Sequence, residues 1–214
     1  ENVGATMLIK ERLPLPGILG RVCPAPCETV CRRAQIDGEP VAICWLKRYA
    51  ADKAAEAGEK TQPDPAPDSG KSVAVIGSGP AGLSASYYLA LDGHKVTIYE
   101  THEHAGGMLR YGIPPYRLPK EVLDKEINDI LSLGVTLKTG TSLGGNFSIS
   151  SLLDGGEDAV FLGIGASISK EARVKGERSE GVYSAIEFLN EVNRSKRTKI
   201  GNRVAVIGGG FTAA

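Results

Sequence analysis

The stretch SVAVIGSGPAGLSASYYLALDGHKVTIYE occupies residues 72–100 and decides the fold of this chain. It runs from an apolar segment through a glycine-rich loop into a helical segment that ends at Gly93, and then into an alternating strand that ends at Glu100. That order predicts a complete β-α-β unit. Because such a unit places its two strands side by side and parallel, the sequence indicates an α/β fold.

The glycine loop of this unit fits the pattern G-x-G-x-x-G. In a Rossmann-like unit these glycines allow a tight turn, a close approach of the backbone to a pyrophosphate and close packing of helix on strand, and the helix N-terminus faces the phosphates. The acid that ends the second strand can accept hydrogen bonds from the ribose hydroxyls. A glycine turn without a ligand is the alternative, but the flanking strand and helix favour a nucleotide site. The candidate cofactor contacts are Gly77, Gly79, Pro80, Ala81, Gly82 and Glu100.

All four cysteines of the chain lie in a short N-terminal stretch, at Cys23, Cys27, Cys31 and Cys44. In a reducing compartment, clustered cysteines are metal or redox ligands more often than disulfides. Four thiolates suffice for one [4Fe-4S] cluster, although this spacing is not the common ferredoxin one. They can equally hold zinc. A disulfide pair and four unrelated buried cysteines are the remaining alternatives.

Helical periodicity predicts a short helix over residues 3–11 and a second helix over residues 40–56, joined by a proline-containing turn and the cysteine loop. Pro40 suits a first helical turn, and this would place Cys44 near the positive end of the helix dipole. Residues 57–71 are rich in proline, glycine and charge, which is typical of a linker. We therefore expect a helical cysteine-rich domain over 1–56, a linker over 57–71, a nucleotide-binding domain over 72–200 and the start of a further domain over 201–214.

Further elements are predicted after the β-α-β unit. An amphipathic helix is expected over residues 119–133, followed by strands over 135–139 and 158–165 and a helix over 185–192. The strand DAVFLGIG ends in a glycine pair, and Gly165 is a candidate for close approach of the backbone to a cofactor. A buried parallel strand with a tight exit explains the same pattern. The apolar face of the amphipathic helix consists of Val122, Leu123, Ile127, Ile130 and Leu131.

A second nucleotide motif stands at residues 203–214, RVAVIGGGFTAA. It predicts a strand followed by a G-x-G-x-x-A loop at Gly208, Gly210 and Ala213. Two such units imply two nucleotides, and the usual chemical reason is that a nicotinamide delivers hydride to a flavin. The sequence given ends inside this motif, so it predicts a truncated NAD(P)H site and a chain cut from a longer polypeptide.

The overall composition argues against several partners. Lys plus Arg equals Asp plus Glu, so we expect no nucleic-acid partner and no attraction to an anionic membrane. No apolar run approaches the roughly 20 residues that span a bilayer, and no signal peptide is recognisable. A cytoplasmic location is therefore expected.

Five stretches carry a resemblance to a known family: GRVCPAPCETVC, VIGSGPAGLSA, GGMLRYGIPPYRLPKEVLDKEI, VFLGIGA and VIGGGFTA. In this order they resemble the small (beta) subunit family of glutamate synthase and its relatives, which include the N-terminal part of dihydropyrimidine dehydrogenase. The resemblance implies that the first nucleotide is FAD. It also implies that Gly106, Gly107 and Met108 line the flavin side, that Arg117 contacts the cofactor and that Leu143 gives a backbone contact.

The same resemblance implies an enzyme that passes electrons between NAD(P)H, FAD and [4Fe-4S] clusters, and onward to a partner redox subunit or domain, with no catalytic side chain. In dihydropyrimidine dehydrogenase, the cysteines that match Cys23, Cys27 and Cys31 are divided between two [4Fe-4S] clusters, and other ligands come from an upstream cysteine run. The remaining ligand there is a Gln at the position of Lys47. Cys44 is the expected substitute. Two alternatives stay open: an electron-input or bifurcating subunit of a formate dehydrogenase or hydrogenase, and a zinc-stapled nucleotide-binding module without catalysis.

Overall fold

The structure is a computed structural model that describes residues 1–171, 173–196, 200–210 and 212–213, with only the backbone of Asp37. Within these ranges, the N-terminal part is helical and a four-stranded parallel sheet follows it. The helices before the sheet are α1 Asn2–Lys10, α2 Pro16–Val22, α3 Pro26–Thr29, α4 Arg33–Asp37 and α5 Ile43–Ala57. No helix in the described part is long and apolar enough to cross a membrane.

The N-terminal helices differ from the prediction in two ways. The helix expected at 40–56 begins at Ile43, so the placement of Pro40 in its first turn is wrong. The start is set by Glu28, whose carboxylate accepts a hydrogen bond from the N–H of Cys44 at 2.8 Å and so satisfies a first-turn donor. The short helices α2, α3 and α4 were not expected, because so few residues give no readable period.

The sheet has the strand order β3-β2-β1-β4, and all its strands are parallel. The predicted β-α-β unit is therefore confirmed, and so is the α/β fold. Its central strand, β1, carries hydrogen-bonded neighbours on both sides. The strands are β1 Ser72–Ile76, β2 Lys95–Tyr99, β3 Thr136–Lys138 and β4 Ala159–Leu162, and the helices are α6 Pro80–Leu91, α7 Met108–Tyr111, α8 Lys120–Leu131, α9 Ile149–Asp154 and α10 Ala185–Asn193.

One hydrophobic core joins the helical segment to the sheet. Leu15 and Ile18, at the start of α2, belong to the same buried cluster as Leu123 and Ile127 of α8. Val75, in the middle of β1, is fully buried in that cluster. The N-terminal helices therefore pack directly on the nucleotide-binding unit.

The strand expected in the stretch 203–214 is not present among residues 200–210. Val204 and Val206 are each 64% exposed and Ile207 is 93% exposed. A strand needs a neighbour for its N–H and C=O groups, and none of the described strands pairs with this stretch. Residues 211 and 214 of the motif lie outside the described residues.

Candidate cofactor site and cysteine segment

The glycine loop connects the end of β1 to the start of α6. Gly77 has a φ of +99°, and a Cβ added to it would lie 2.4 Å from the Gly163 carbonyl oxygen. A Cβ added to Gly82 would lie 1.8 Å from the Gly77 carbonyl oxygen. These two glycines are required by the turn and by packing, as the motif predicts.

Gly79 differs from its two neighbours in the motif. A Cβ added to it would meet no described atom within 4 Å, so the space above this residue is open. Gly79 is the N-cap residue of α6, a helix of 12 residues whose first residue is a proline. The N-terminus of this helix therefore offers its partial positive charge to an open space, with the exposed Pro80 and Ala81 at its rim. This arrangement fits a dinucleotide diphosphate.

Glu100 lies directly after β2 and next to the glycine loop. Its side chain is buried, and it accepts hydrogen bonds from the N–H of Ser78 at 3.0 Å and from the N–H of His102 at 2.7 Å. The hydroxyl of Ser78 donates a third bond to the same carboxylate. Since a carboxylate has about four acceptor positions, about one remains for a ribose hydroxyl. Glu100 therefore fixes the loop, and its contact with a ribose stays a prediction.

A second glycine turn lies against the first. The N–H of Gly106 donates to the Ser78 carbonyl at 3.0 Å, and a Cβ added to Gly107 would lie 2.8 Å from Gly79 Cα. Met108 begins α7 directly after this turn and is 37% exposed. The structure thus brings together Gly79 and three of the residues expected on the flavin side.

Lys120 holds the segment that follows. Its ammonium group donates to the carbonyls of Arg110 at 2.7 Å and Ile113 at 2.9 Å, which flank the end of α7. Burial lowers the pKa of Lys120, and the Arg110 charge acts in the same direction. The half-buried Arg117 lies in the turn between α7 and α8.

Two further candidates lie beyond the carboxyl ends of other strands. Leu143 follows β3, forms an isolated bridge with Phe147 and is 36% exposed. Gly165 follows β4 with a φ of +71° and is exposed. In parallel sheets, cofactors bind at this edge. The roles of both residues stay predictions.

The second glycine motif is not assembled into a comparable loop. Gly208 has a φ of +123°, and the N–H of Ala213 donates to the Gly210 carbonyl at 2.9 Å. A Cβ added to Gly210 would meet nothing within 4 Å in the described part of the chain. Gly208 and Gly210 are exposed, and no described strand precedes the three residues expected to hold NAD(P)H.

Cys23 and Cys44 come together at the junction of two helices. Cys23 is the C-cap residue of α2, and Cys44 lies in the first turn of α5, as predicted. The Cys44 Sγ lies 3.9 Å from the Cys23 carbonyl oxygen. Burial raises the pKa of the Cys44 thiol. The nearby Cys23 and Glu28 also raise this pKa, whereas the charge of Lys47 lowers it.

Cys31 has a different environment. Hydrogen bonds from the backbone N–H groups of Val41, Arg33 and Ala34 lower the pKa of its thiol, and that of Val41 contributes most. Donors of this kind also stabilise a thiolate that binds a metal. Cys27 lies on α3 and is exposed.

The four cysteines are free thiols, so their chemistry suits a thiolate-bound cluster and no disulfide joins them. Their arrangement is incomplete, however. Among the residues that the structure describes, no three His, Cys, Asp or Glu side chains lie close enough to hold a metal ion. The structure brings Cys44 close to Cys23, but it does not bring either of them close to Cys27 and Cys31.

Three supporting residues were missed by the sequence analysis. Ser78 occupies a variable position of the motif, and Lys120 follows a conspicuous PPYRLP segment, so no pattern marks either of them. Glu126 accepts hydrogen bonds from the N–H groups of Gly17 and Ile18. Its position, one turn from Val122 and Ile130 on the predicted apolar face, was a readable signal of burial.

Family profiles match nearly the whole chain. The profile described as pyridine nucleotide-disulphide oxidoreductase matches residues 71–214. The profile described as dihydropyrimidine dehydrogenase domain II, 4Fe-4S cluster, matches residues 1–59. Residues 60–70 lie between the two matches.

Several characterised proteins are similar to this chain. The beta subunit of an NADPH-Fe(3+) oxidoreductase from Geobacter sulfurreducens is 43% identical over 96% of this chain, and the beta subunit of an NADP(+)-dependent formate dehydrogenase from Moorella thermoacetica is 41% identical over 96% of it. The small chain of an NADPH glutamate synthase from Mycobacterium tuberculosis is 38% identical over 93% of it. This chain spans 31%, 32% and 43% of those three proteins, respectively. The expected resemblance to glutamate synthase small subunits is therefore confirmed.

Solved structures confirm the fold. FprA from Mycobacterium tuberculosis in complex with NADPH aligns with a TM-score of 0.52 and 22% identity, over 57% of this chain and 29% of that chain. A 2-naphthoyl-CoA reductase complex aligns with a TM-score of 0.52 and 24% identity, over 64% of this chain and 20% of that chain. With its glycine loop, its parallel sheet and a profile match over residues 71–214, the chain belongs to the pyridine nucleotide-disulphide oxidoreductase family.

Proposed function

We propose that this chain is the electron-transfer part of an NADPH-linked flavin and iron-sulfur oxidoreductase, in which FAD binds at the first glycine loop and the cysteine segment holds [4Fe-4S] clusters. Electrons then pass to a partner redox subunit or domain. The observation that carries the proposal is the open space above Gly79, bounded by the N-terminus of α6 and by the turn at Gly107. It is supported by the match of residues 1–59 to a 4Fe-4S profile.

The residues of the chain bind and orient in this proposal, and they transfer no proton. FAD, when bound, supplies acceptance of hydride and release of single electrons. The N–H groups at the start of α6 neutralise the diphosphate, while Glu100 fixes the loop through Ser78 and offers its remaining acceptor position to the ribose. The turn at Gly106 and Gly107 has no side chains, so it lets the flavin side approach the backbone closely.

For the cysteine segment, we propose that Cys23, Cys27, Cys31 and Cys44 supply cluster ligands. The closeness of Cys44 to Cys23 supports a shared cluster for these two, and the N–H donors around Cys31 support ligation there as a thiolate. Packing alone is a poor account of Cys44, since its neighbours Trp45 and Leu46 are 66% and 59% exposed.

Two kinds of enzyme are candidates for the complex that receives the electrons. The relative from Moorella thermoacetica carries the name of a formate dehydrogenase subunit, and the relative from Mycobacterium tuberculosis that of a glutamate synthase chain. Both relatives are named as parts of NADP(H)-linked enzymes, which supports NADPH as the donor here. A zinc-stapled nucleotide-binding module without redox chemistry is the alternative function, and metal analysis separates it from both redox enzymes.

The test is a reciprocal pair of variants purified without oxygen from the full chain. Gly79→Val should abolish retention of FAD while iron and sulfide remain, because the side chain fills the space that the diphosphate needs. Cys44→Ala should remove iron and sulfide while FAD remains. Flavin absorbance and chemical analysis of iron, sulfide and zinc give the readout.

Each variant has a matched control. Gly210→Val places the same side chain in the second motif and should retain FAD, while Ile43→Ala changes the residue beside Cys44 and should retain iron. Normal flavin content in Gly79→Val would refute the FAD assignment. A colourless wild-type protein with stoichiometric zinc would refute the redox function.

A further inference from the structure

Helix α2 is held at its N-terminus by a carboxylate that is 109 residues away in sequence. Glu126 of α8 accepts a hydrogen bond from the N–H of Gly17 at 2.7 Å and another from the N–H of Ile18 at 2.9 Å. The first N–H groups of a helix have no partner within the helix. Because Glu126 is only 6% exposed, it supplies these partners where water has little access.

The other end of α2 reaches the cysteine pair. Cys23 is the C-cap residue of this helix. Gly20 packs so closely on α5 that an added Cβ would lie 2.7 Å from the Arg48 Cβ. Since α5 carries Cys44 in its first turn, a displacement of α2 would displace both cysteines.

The same helix α8 supports the cofactor loop. Lys120, its first residue, holds the carbonyls of Arg110 and Ile113 at the end of α7. Helix α7 begins directly after Gly107, which lies against Gly79. Helix α8 therefore contacts both α2, which ends at Cys23, and the end of α7, which follows the turn at Gly107.

We propose that Glu126 is a positioning residue that sets the separation between the Cys23–Cys44 pair and the cofactor at the first glycine loop, by fixing α2 on α8. This inference rests on the proposed function, because it requires redox groups at both places. Electron transfer slows steeply with distance, so a fixed separation fixes its rate. Glu126 acts through α2, because its hydrogen bonds go to Gly17 and Ile18, and neither residue belongs to the glycine loop or to the cysteine pair.

The chemistry of Glu126 explains why a carboxyl group is needed. Both of its oxygens accept N–H groups, and the hydroxyl oxygen of the protonated carboxyl can still accept one, whereas the amide of a glutamine would turn an NH₂ group, which accepts no hydrogen bond, toward one of these donors. Burial raises the pKa of Glu126 to about 7, against the lowering effect of the N–H groups of Ile18 and Gly17 and of the Lys10 charge. The charged groups around the adjoining cavity are Lys10 of α1, Asp52 of α5, Glu59 after α5, and Glu121, Lys125 and Asp129 of α8.

Trp45 provides a direct readout of the separation. It is the single tryptophan of the chain, it lies beside Cys44, and flavin absorbs its emission. The fluorescence lifetime of Trp45 is measured in the cluster-loaded protein with FAD and after removal of FAD, and the difference gives the efficiency of energy transfer. In Glu126→Gln we expect this efficiency to fall at least two-fold, with a broader distribution of lifetimes, while the FAD content stays normal.

The control is Glu121→Gln, an exposed acid on the same helix, which should leave energy transfer unchanged. In the wild type, the pKa of Glu126 is about 7 when α2 is packed on α8 and about 4.5 when it is not, so the packed form binds the proton more tightly. The efficiency of energy transfer should therefore decline as the pH rises from about 4.5 to about 7. Glu126→Gln should lack this decline. This pH profile tests the inference even if the variant folds poorly.

The outcomes separate the two proposals. Wild-type efficiency in Glu126→Gln would overturn the positioning role, and so would a loss of thermal stability without any change in efficiency or in its pH profile. If wild-type protein that lacks FAD and wild-type protein reconstituted with FAD had equal Trp45 lifetimes, FAD would not bind near this segment, and the proposed function would fail first.

Discussion

The sequence VAVIG occurs twice in this chain, at residues 73–77 and 204–208, and it folds in two different ways. In the first copy Val73, Val75 and Ile76 are 8%, 0% and 4% exposed and form β1. In the second copy Val206 and Ile207 are 64% and 93% exposed, and no strand is assigned there. The same residues therefore form a strand only where other strands can pair with them.

The local turn behaves differently from the strand. Gly77 has a φ of +99° and Gly208 a φ of +123°, so both copies leave VAVIG through a backbone conformation that favours glycine. What distinguishes the first copy is that β2 and β4 flank it in parallel register. The turn is thus a property of the local sequence, whereas the strand depends on long-range partners.

The largest contrast between the copies is expected at the close contact of helix and strand. In Gly82→Ala the new Cβ would lie 1.8 Å from the Gly77 carbonyl oxygen, which is backbone and cannot move aside. We expect a loss of about 3 kcal/mol or more in the free energy of unfolding. The change Gly210→Ala in the second copy, at the position that corresponds to Gly79, should alter it by no more than about 0.5 kcal/mol, because the new Cβ meets no described atom within 4 Å.

Urea denaturation of both variants measures this contrast. Equal losses in Gly82→Ala and Gly210→Ala would mean that the second glycine loop is closely packed in solution. The comparison between the copies would then fail.

The second prediction concerns the acid that follows β2. Glu100→Gln keeps the shape of the side chain but removes the charge from hydrogen bonds to Ser78 and His102. We expect FAD binding to weaken by about 1.5–3 kcal/mol, because bonds to a charged acceptor contribute about that much. Fluorescence titration of the FAD-free protein gives the affinity. Glu103→Gln, at a side chain that is 88% exposed, is the control and should bind FAD normally.

The strand itself provides the third prediction. Val75→Ala removes two methyl groups from a fully buried site in the middle of β1, and we expect a loss of about 2 kcal/mol in the free energy of unfolding. Val206→Ala, at the same position of the second copy, should change it by less than about 0.5 kcal/mol. A clear loss in Val206→Ala would show that the second copy is buried in solution.

Much of the fold could be predicted from local pattern. The glycine loop, the presence of β2 and the buried face of α8 at Leu123, Ile127 and Ile130 follow from residue spacing alone, although β2 ends one residue before the predicted Glu100. The short helices around the cysteines could not be predicted, because four to seven residues carry no period and the proline at the start of α2 equally favours a turn. The start of α5 was misplaced because Glu28, distant in sequence, sets it.

The candidate site divides in the same way. Gly77, Gly79 and Gly82 lie where the motif predicts, since their roles arise within one turn. The support by Ser78 and Glu126 depends on contacts that no local pattern encodes, over as many as 109 residues. Likewise, the spacing of the cysteines does not indicate that Cys23 and Cys44 lie close together, because that contact follows from the packing of α2 on α5.

The smallest effect is expected at the beginning of the first VAVIG copy, where Asp158, the residue before β4, binds the start of β1. Its carboxylate accepts hydrogen bonds from the Lys71 ammonium group at 2.8 Å and from the Ser72 N–H at 2.8 Å. These bonds, that of Lys71 first, lower the pKa of Asp158 below its ordinary value of 3.8. The stabilisation is therefore fully present above pH 3.8 and is lost as the pH falls through the lowered pKa of the folded state.

In Asp158→Asn we expect a slightly lower urea midpoint at pH 7, and a difference from wild type that disappears in acid below that pKa. Asp154→Asn, an exposed change one turn earlier, should match the wild type at both pH values. A difference between Asp158→Asn and wild type that persists in acid would mean that Asp158 acts through its shape, and that pairing with β4 alone distinguishes the first VAVIG copy from the second.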